Sequence, residues 1–255
     1  MKAHLSIVFY VGALAMMVAG GTAQAASVDF ESAPASGYYT LRNNGSATTT
    51  MSTDYAVSPT HSAMFYFPDA DSTANDNPTV KVWYTGQLGN TAASFATLVT
   101  SGSSASVPAP YLMFGVDVNG DGLLTSMDPS ANADAYVIAF IHPTFSQGQW
   151  FTTGLDASTM VQVVGNRAGL TAGTFSASGT QDTLADLDAI STGNGAQTWG
   201  SLNILAAYVG AGEWPGMSGS YTAYVDNISV SATPEPASLG LLALGGLTLL
   251  RRKRR

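Results

Sequence analysis

The sequence predicts an all-β fold, an antiparallel β-sandwich of the jelly-roll kind with one short helix. Three observations predict it. Short β-rich runs recur between clusters of Gly, Pro, Asn, Asp and Ser. Only one stretch has helical spacing, and no internal repeat of fixed period appears. The 255-residue length suits one domain with processed ends, and 45% hydrophobic content is enough for a core.

In chain order, the strand runs are 38–42, 48–53, 62–67, 79–84, 111–118, 135–141, 149–155, 160–165, 202–210 and 221–230. In 79–84, Val80, Val82 and Tyr84 share one face and Lys81 takes the other, the pattern of a strand with one wet side. The serine-rich 100–110 reads as a loop, because Pro108 and Pro110 donate no ladder hydrogen bonds. The helix is expected at 183–190, capped by Asp182, with Leu184, Leu187, Ala185 and Ile190 on its stripe. About ten strands and one helix in a body of roughly 205 residues make a sandwich or jelly roll.

The charge is uneven. Between Ala26 and Thr233 the basic residues are Arg42, Lys81 and Arg167 alone, against 16 acids, so the body's formal charge is 3 − 16 = −13. Such a surface repels phosphate backbones and favours cations. Cysteine is absent, which excludes disulfides, zinc ribbons and a thiol nucleophile.

Both ends read as addresses. Residues 1–25 have an early lysine, an apolar run from Leu5 to Ala19, and Ala23 and Ala25 at the −3 and −1 positions of an A-x-A cleavage site. That is a Sec-type secretory signal cleaved before Ala26. At the other end, the apolar run from Leu239 to Leu250 would make a helix of roughly 18 Å, against about 30 Å of hydrocarbon. Gly245 and Gly246 weaken that helix, and the basic tail Arg251 to Arg255 stays on the cytoplasmic side. The segment suits a temporary membrane hold.

Pro234, Glu235 and Pro236, followed by that apolar sorting helix and the basic tail, resemble the PEP-CTERM sorting signal of Gram-negative bacteria. Thr233 departs from the valine frequent before the first proline. The resemblance implies export, processing near Pro234–Pro236 by an exosortase-type membrane transpeptidase, and residence at the cell surface or outside it after an inner-membrane stage. It also implies partners among exopolysaccharide, biofilm matrix or surface proteins; the alternative is an ordinary C-terminal membrane tail. The expected organisation is a signal peptide at 1–25, a sandwich domain at 26–232 and a sorting signal at 233–255.

The densest chemical motif is Asp117 to Asp128. Asp117, Asn119 and Asp121 occupy positions 1, 3 and 5 of a twelve-residue oxygen-ligand loop, with Gly122 at 6 for the sharp turn. Leu123 offers a carbonyl at 7, Thr125 acts at 9, and Asp128 closes at 12. The spacing resembles an EF-hand-type calcium loop. Position 12 is Asp instead of Glu, and the flanks read as strands, so the expected role is a structural Ca2+ stapling a hairpin, with Asp134 in the outer shell. A metal-free Asx/Gly turn is the alternative.

The body's opening Phe30-Glu31, its early His61-Ser62 and its closing Val225-Asp226-Asn227 resemble galactose-binding-like jelly rolls, the architecture of many carbohydrate-binding modules. That resemblance implies a second structural calcium joining the first and last strands, with Glu31 and Asp226 as its carboxylates. Two separate solvated acids are the alternative.

No catalytic constellation stands out. The body has two glutamates, Glu31 and Glu213, and no paired carboxylates in one strand motif. His61 and His142 lack a Gly-x-Ser-x-Gly elbow, and no histidine cluster or phosphate loop is present. Trp214, beside Pro215 among glycines, and Glu213 form the candidate glycan contact, with Trp214 capping the sandwich as the plainer reading. The expectation is a non-enzymatic exported protein stabilised by calcium. A carbohydrate-binding module acting alone is the alternative, and a glycoside hydrolase a more remote one.

Overall fold

The computed structural model describes residues 25–31, 39–68, 77–101, 110–124, 134–140, 147–176, 182–193, 195–212 and 220–233. Among the described residues the body consists of two antiparallel sheets and one α-helix, in agreement with the all-β expectation.

The first sheet contains β1 (Ala26–Val28), β3 (Thr48–Ser52), β4 (Ser62–Phe67), β7 (Thr91–Ser101), β10 (Phe151–Gly154) and β14 (Tyr221–Ala232). Its order is β10-β7-β14-β4-β3, with β1 also on β14. The second sheet contains β2 (Tyr39–Arg42), β5 (Thr79–Val82), β6 (Gly86–Gln87), β8 (Tyr111–Val116), β9 (Ala135–Phe140), β11 (Met160–Gly165), β12 (Asp182–Thr183) and β13 (Asn203–Gly210). Its order is β12-β11-β9-β8-β13-β5-β2, with β6 also on β13.

Period-2 alternation builds the core between the sheets. Phe65 and Phe67 of β4, and Phe95 and Val99 of β7, enter from one side. Val80 and Val82 of β5, Leu112, Phe114 and Val116 of β8, and Val137 and Ala139 of β9 enter from the other. Each large side chain so buried contributes roughly 2–3 kcal/mol by transfer from water. Trp199 is fully buried and its indole donates to the Ala168 carbonyl at 3.0 Å, so its polar edge is satisfied inside the core.

The ten predicted runs all contain strands. The sequence missed β7, which the first sheet places between β10 and β14. Its three alanines, Ala92, Ala93 and Ala96, have low β-propensity. Its inward row, Ala93, Phe95, Thr97 and Val99, is nevertheless buried, with the Thr97 hydroxyl donating to the Tyr224 carbonyl at 3.0 Å. Tertiary pairing outweighed local preference there.

The helix is shorter than predicted and differently capped. It is α1 (Leu184–Ala189), and Thr183 is its N-cap, in a capping box with Asp186. Asp182 instead pairs with Val161 in β12 and accepts from the Phe175 amide. Leu184 and Leu187 are buried and Ile190 packs against the core, whereas Ala185 is exposed and leaves the stripe. Among the described residues no helix is long and apolar enough to cross a membrane.

Candidate functional site

The chain assembles its densest oxygen cluster where β14 changes partner. Residues 221–225 pair with β4, and residues 228–230 pair with β1. Between them the pairing with β7 slips, and Asn227 takes a left-handed backbone at φ 49°. The bulge aims the fully buried Asp226 carboxylate at segment 57–61, which leads into β4. Its Oδ2 accepts from the Val57 and Ser58 amides, each at 2.8 Å, and its Oδ1 accepts from the Asn227 amide at 2.7 Å.

Glu31 reaches the same segment from beyond β1. Phe30 has φ 60°, a strained conformation for a non-glycine residue, and it points its ring into the core edge-on to Tyr39 at 5.1 Å. That turn sends the Glu31 carboxylate to the Thr60 amide at 2.9 Å, the His61 amide at 2.8 Å and the Thr60 hydroxyl at 2.5 Å. Donation from the Thr60 hydroxyl and amide, with help from His61, lowers the Glu31 pKa to about 2.

Ser58 joins the two acids. Its Oγ lies 2.8 Å from the Asp29 carbonyl, 2.8 Å from the His61 carbonyl, 3.1 Å from Glu31 Oε1, and 3.1 and 2.9 Å from the Asp226 oxygens. One hydroxyl carries one proton and serves one of those five oxygens at a time. Two carboxylates, two carbonyls and a hydroxyl converging without a Lys or Arg among them are the donor chemistry of a hard, oxygen-seeking cation. The residues therefore fit a structural calcium, although the carboxylates also tie down segment 57–61 through amides.

His61 bears on catalysis. Its Nδ1 faces both Glu31 Oε2, at 3.2 Å, and the Thr60 hydroxyl, at 2.6 Å. A nucleophilic triad needs the acid on one ring nitrogen and the nucleophile on the other. Here both approach the same nitrogen, so the arrangement orients a loop.

The predicted calcium loop is half described. Asp117 is buried, its amide donates to the Asn203 carbonyl at 2.9 Å, and its two carboxylate oxygens accept from the Gly120 and Gly122 amides at 2.7 and 3.1 Å. Both glycines have positive φ, 79° and 74°, which a side chain there would strain. Asn119 Oδ1 accepts from the Asp121 amide at 2.9 Å, and Asp121 Oδ1 accepts from the Leu123 amide at 2.8 Å. These are successive Asx turns. Asp134 is buried beneath them and accepts from the Val118 amide at 3.1 Å. Leu123 is 67% exposed. Thr125 and Asp128 lie outside the described residues, and among those residues no three His, Asp or Glu side chains form a metal-ligating group.

A third feature escaped the sequence. The register of the second sheet lines up Thr40, Lys81, Tyr208, Met113, Ile138 and Gln162 across six neighbouring strands, on the face turned away from the core. Trp83, just past β5, is 46% exposed, and the Lys81 ammonium sits 4.1 Å from its ring centroid. Lys81 also lies 5.9 Å, and the Arg42 guanidinium 6.0 Å, from the Tyr208 ring. Tyr208 in turn meets Tyr136 at 6.1 Å. Burial lowers the Lys81 pKa, with Arg42 beside it as a second cause. Burial likewise raises that of Tyr136 to about 12. The signal available in the sequence was Lys81 on the wet face of its strand, two positions from Trp83.

Other sequence candidates are not brought into any site. Ala25 is exposed; Ala23, Glu213, Trp214, Pro234, Glu235 and Pro236 lie outside the described residues, as do His142 and the apolar sorting helix.

Residues 232–255 match the PEP-CTERM protein-sorting motif. The terminal segment is therefore a sorting signal, which implies recognition by an exosortase and export in a Gram-negative bacterium. No curated protein matches the chain. Among solved structures, the chain is similar to an endo-beta-1,4-glucuronan lyase from the fungus Trichoderma reesei, with 10% identity, a TM-score of 0.44, and coverage of 82% of this chain and 95% of that one. It is similar to the CBM22-1 xylan-binding domain of Paenibacillus barcinonensis Xyn10C at 10% identity and TM-score 0.40, covering 83% and 96%. It is also similar to Cip1, a cellulose induced protein, at 15% identity and TM-score 0.45, covering 81% and 97%. The fold assignment above stands on strand pairing alone.

Proposed function

We propose that this chain is an exported, surface-sorted, non-enzymatic protein whose sandwich, residues 26–232, associates with extracellular polysaccharide and is stabilised by calcium. The sorting motif at 232–255 carries the exported part of this reading. The processed ends are residues 1–25, cut after Ala25, and the segment beyond Pro234, Glu235 and Pro236, which the exosortase handles.

The calcium belongs at the junction of Glu31, Ser58 and Asp226, where five oxygens surround one hydroxyl proton. A second ion in the loop from Asp117 to Asp128 is supported by its register and by the buried Asp134 under it. The polysaccharide reading is supported by the outward row of the second sheet, which offers the half-exposed Trp83 ring among polar and apolar side chains, the mixed character sugar faces require.

Mass spectrometry of protein recovered outside the native host tests the export reading. Mature chains starting at Ala26 and lacking residues 239–255 are expected; full-length copies accumulating in the cytosol overturn it. Isothermal titration of the folded body with calcium tests the ions, with measurable heat expected and the junction's share of it lost in Glu31→Gln; absence of heat in the native protein overturns the reading.

A further inference from the structure

We infer that the outward face of the second sheet reads negative charge: Lys81 and Arg42, beside Trp83 and Tyr208, bind the carboxylates of an acidic, uronate-type polysaccharide. This rests on the polysaccharide reading above and narrows its ligand class.

The argument begins with scarcity. The body has three cationic side chains among 16 acids. Arg167 is consumed internally, since its guanidinium donates to the Val163, Phe175 and Thr174 carbonyls. The other two lie on the neighbouring strands β2 and β5, on one face, and converge on one ring, Tyr208. Among the described residues the single ion pair is His61 with Glu31, and neither Lys81 nor Arg42 has an acidic partner.

The pair is also held at a cost. Like charges on adjacent strands repel, and Lys81 is partly desolvated between Trp83 and Tyr208. A half-buried cation without a counter-ion among the described residues gains most from an external anion, because the attraction acts where water is already thinned. The half-exposed Trp83 ring supplies flat apolar area for a sugar face, and the Arg42 fork can donate bidentately to a carboxylate.

The body's overall charge narrows the anion further. A net −13 surface repels a dense polyanion such as nucleic acid at long range. A polysaccharide with one carboxylate per sugar or fewer meets the local positive patch with far less repulsion beyond it. Screening confines the unfavourable field to about 8 Å at physiological salt.

Affinity gel electrophoresis of the folded body decides it, with matched polymers cast in the gel: carboxymethylcellulose against hydroxyethylcellulose, and polygalacturonate against its carboxyl-reduced form. Retardation is expected in the anionic member of each pair, weakening by roughly tenfold when sodium chloride rises from about 0.05 to about 0.5 M. Lys81→Gln with Arg42→Gln should weaken the anionic interaction roughly tenfold or more while leaving the melting temperature near that of the native protein. Trp83→Ala should weaken it without altering its salt dependence. Equal retardation by charged and neutral members overturns the charge reading and leaves the polysaccharide reading standing. Retardation by none of the four overturns the polysaccharide reading too, and salt-sensitive binding of polyglutamate alone assigns the face to an acidic protein instead.

Discussion

The junction at Ser58 and the loop at Asp117 are both acidic, oxygen-rich and turned by left-handed residues, yet they are built in opposite ways. In the loop, Asp117, Asn119 and Asp121 accept from amides no more than five positions away. At the junction, Asp226 accepts from Val57 and Ser58, 169 and 168 positions away, and Glu31 accepts from Thr60 and His61. The loop can close on its own hydrogen bonds, whereas the junction exists only when β1, β4 and β14 have already met. The same residue types therefore carry different weight: local in one place, a clasp for the whole sheet in the other.

Removing the clasp is the sharpest way to break the comparison. Asp226→Ala removes a fully buried carboxylate and leaves three amides without their acceptor, while the Ser58 hydroxyl keeps the Asp29 and His61 carbonyls; it should cost about 3 kcal/mol or more, read as a lower urea midpoint at unchanged slope. A cost near that of a surface substitution would mean that the junction is as self-sufficient as the loop.

Calcium separates the two regions next. At about thirty times the dissociation constant, an ion bound only to the folded state adds about 2 kcal/mol. That increment should vanish with chelator, and the junction's share of it should vanish in Glu31→Gln but survive in Asp121→Asn. The reverse pattern would put the structural ion in the loop. Glu31 also gives an acid limb: its pKa, lowered to about 2 from 4.5, contributes stability that is present above pH 4.5 and lost as pH falls toward 2. Glu31→Gln should flatten the melting profile across that window.

A third acid sharpens the contrast by being poorly served. Asp188 on α1 is packed against Gly200, where an added Cβ would come within 3.1 Å of it, and its buried Oδ1 has no hydrogen-bond partner among the described residues. Burial raises its pKa to about 6 from 3.8. For a carboxyl raised in the folded state, the penalty is absent below pH 3.8, grows between 3.8 and 6, and is complete above 6. Asp188→Asn should therefore raise stability at pH 7.5 by about 1 kcal/mol, discounted for partial solvation, and change little at pH 3.5. An equal gain at both pH values would trace the effect to packing.

The smallest effect should come from the loop's exposed acid. Asp121→Ala removes one Asx turn at the surface and should cost no more than about 0.5 kcal/mol in chelator. A larger loss would show that the turn series is not independent of the sandwich.

The second sheet's face teaches the same lesson as the junction. Lys81 was legible as a residue on a wet face, because alternation is a local property. That Arg42 and Tyr208 stand beside it was not, since it depends on the register of β2, β5 and β13. Glu31 and Asp226 were paired through a family resemblance, but Ser58 between them was invisible, being one serine among many in a turn-rich stretch. The misplaced cap at Asp182 has a similar cause: Asp and Thr are both good caps, and pairing with Val161 drew Asp182 into a strand.

By itself the sequence determined what depends on near neighbours: period-2 strands, the single amphipathic turn of helix, the glycine-bearing acidic loop and the sorting signal at the C-terminal end. Tertiary structure decided what depends on strand register and on segments far apart in the chain. It drew the alanine-rich β7 into the core, gathered five oxygens around Ser58, and set two of the body's three cations on one ring. The physical reason is that propensity and turn chemistry act within a few residues, whereas cross-strand distance and burial are fixed only when the sheets close over a common core.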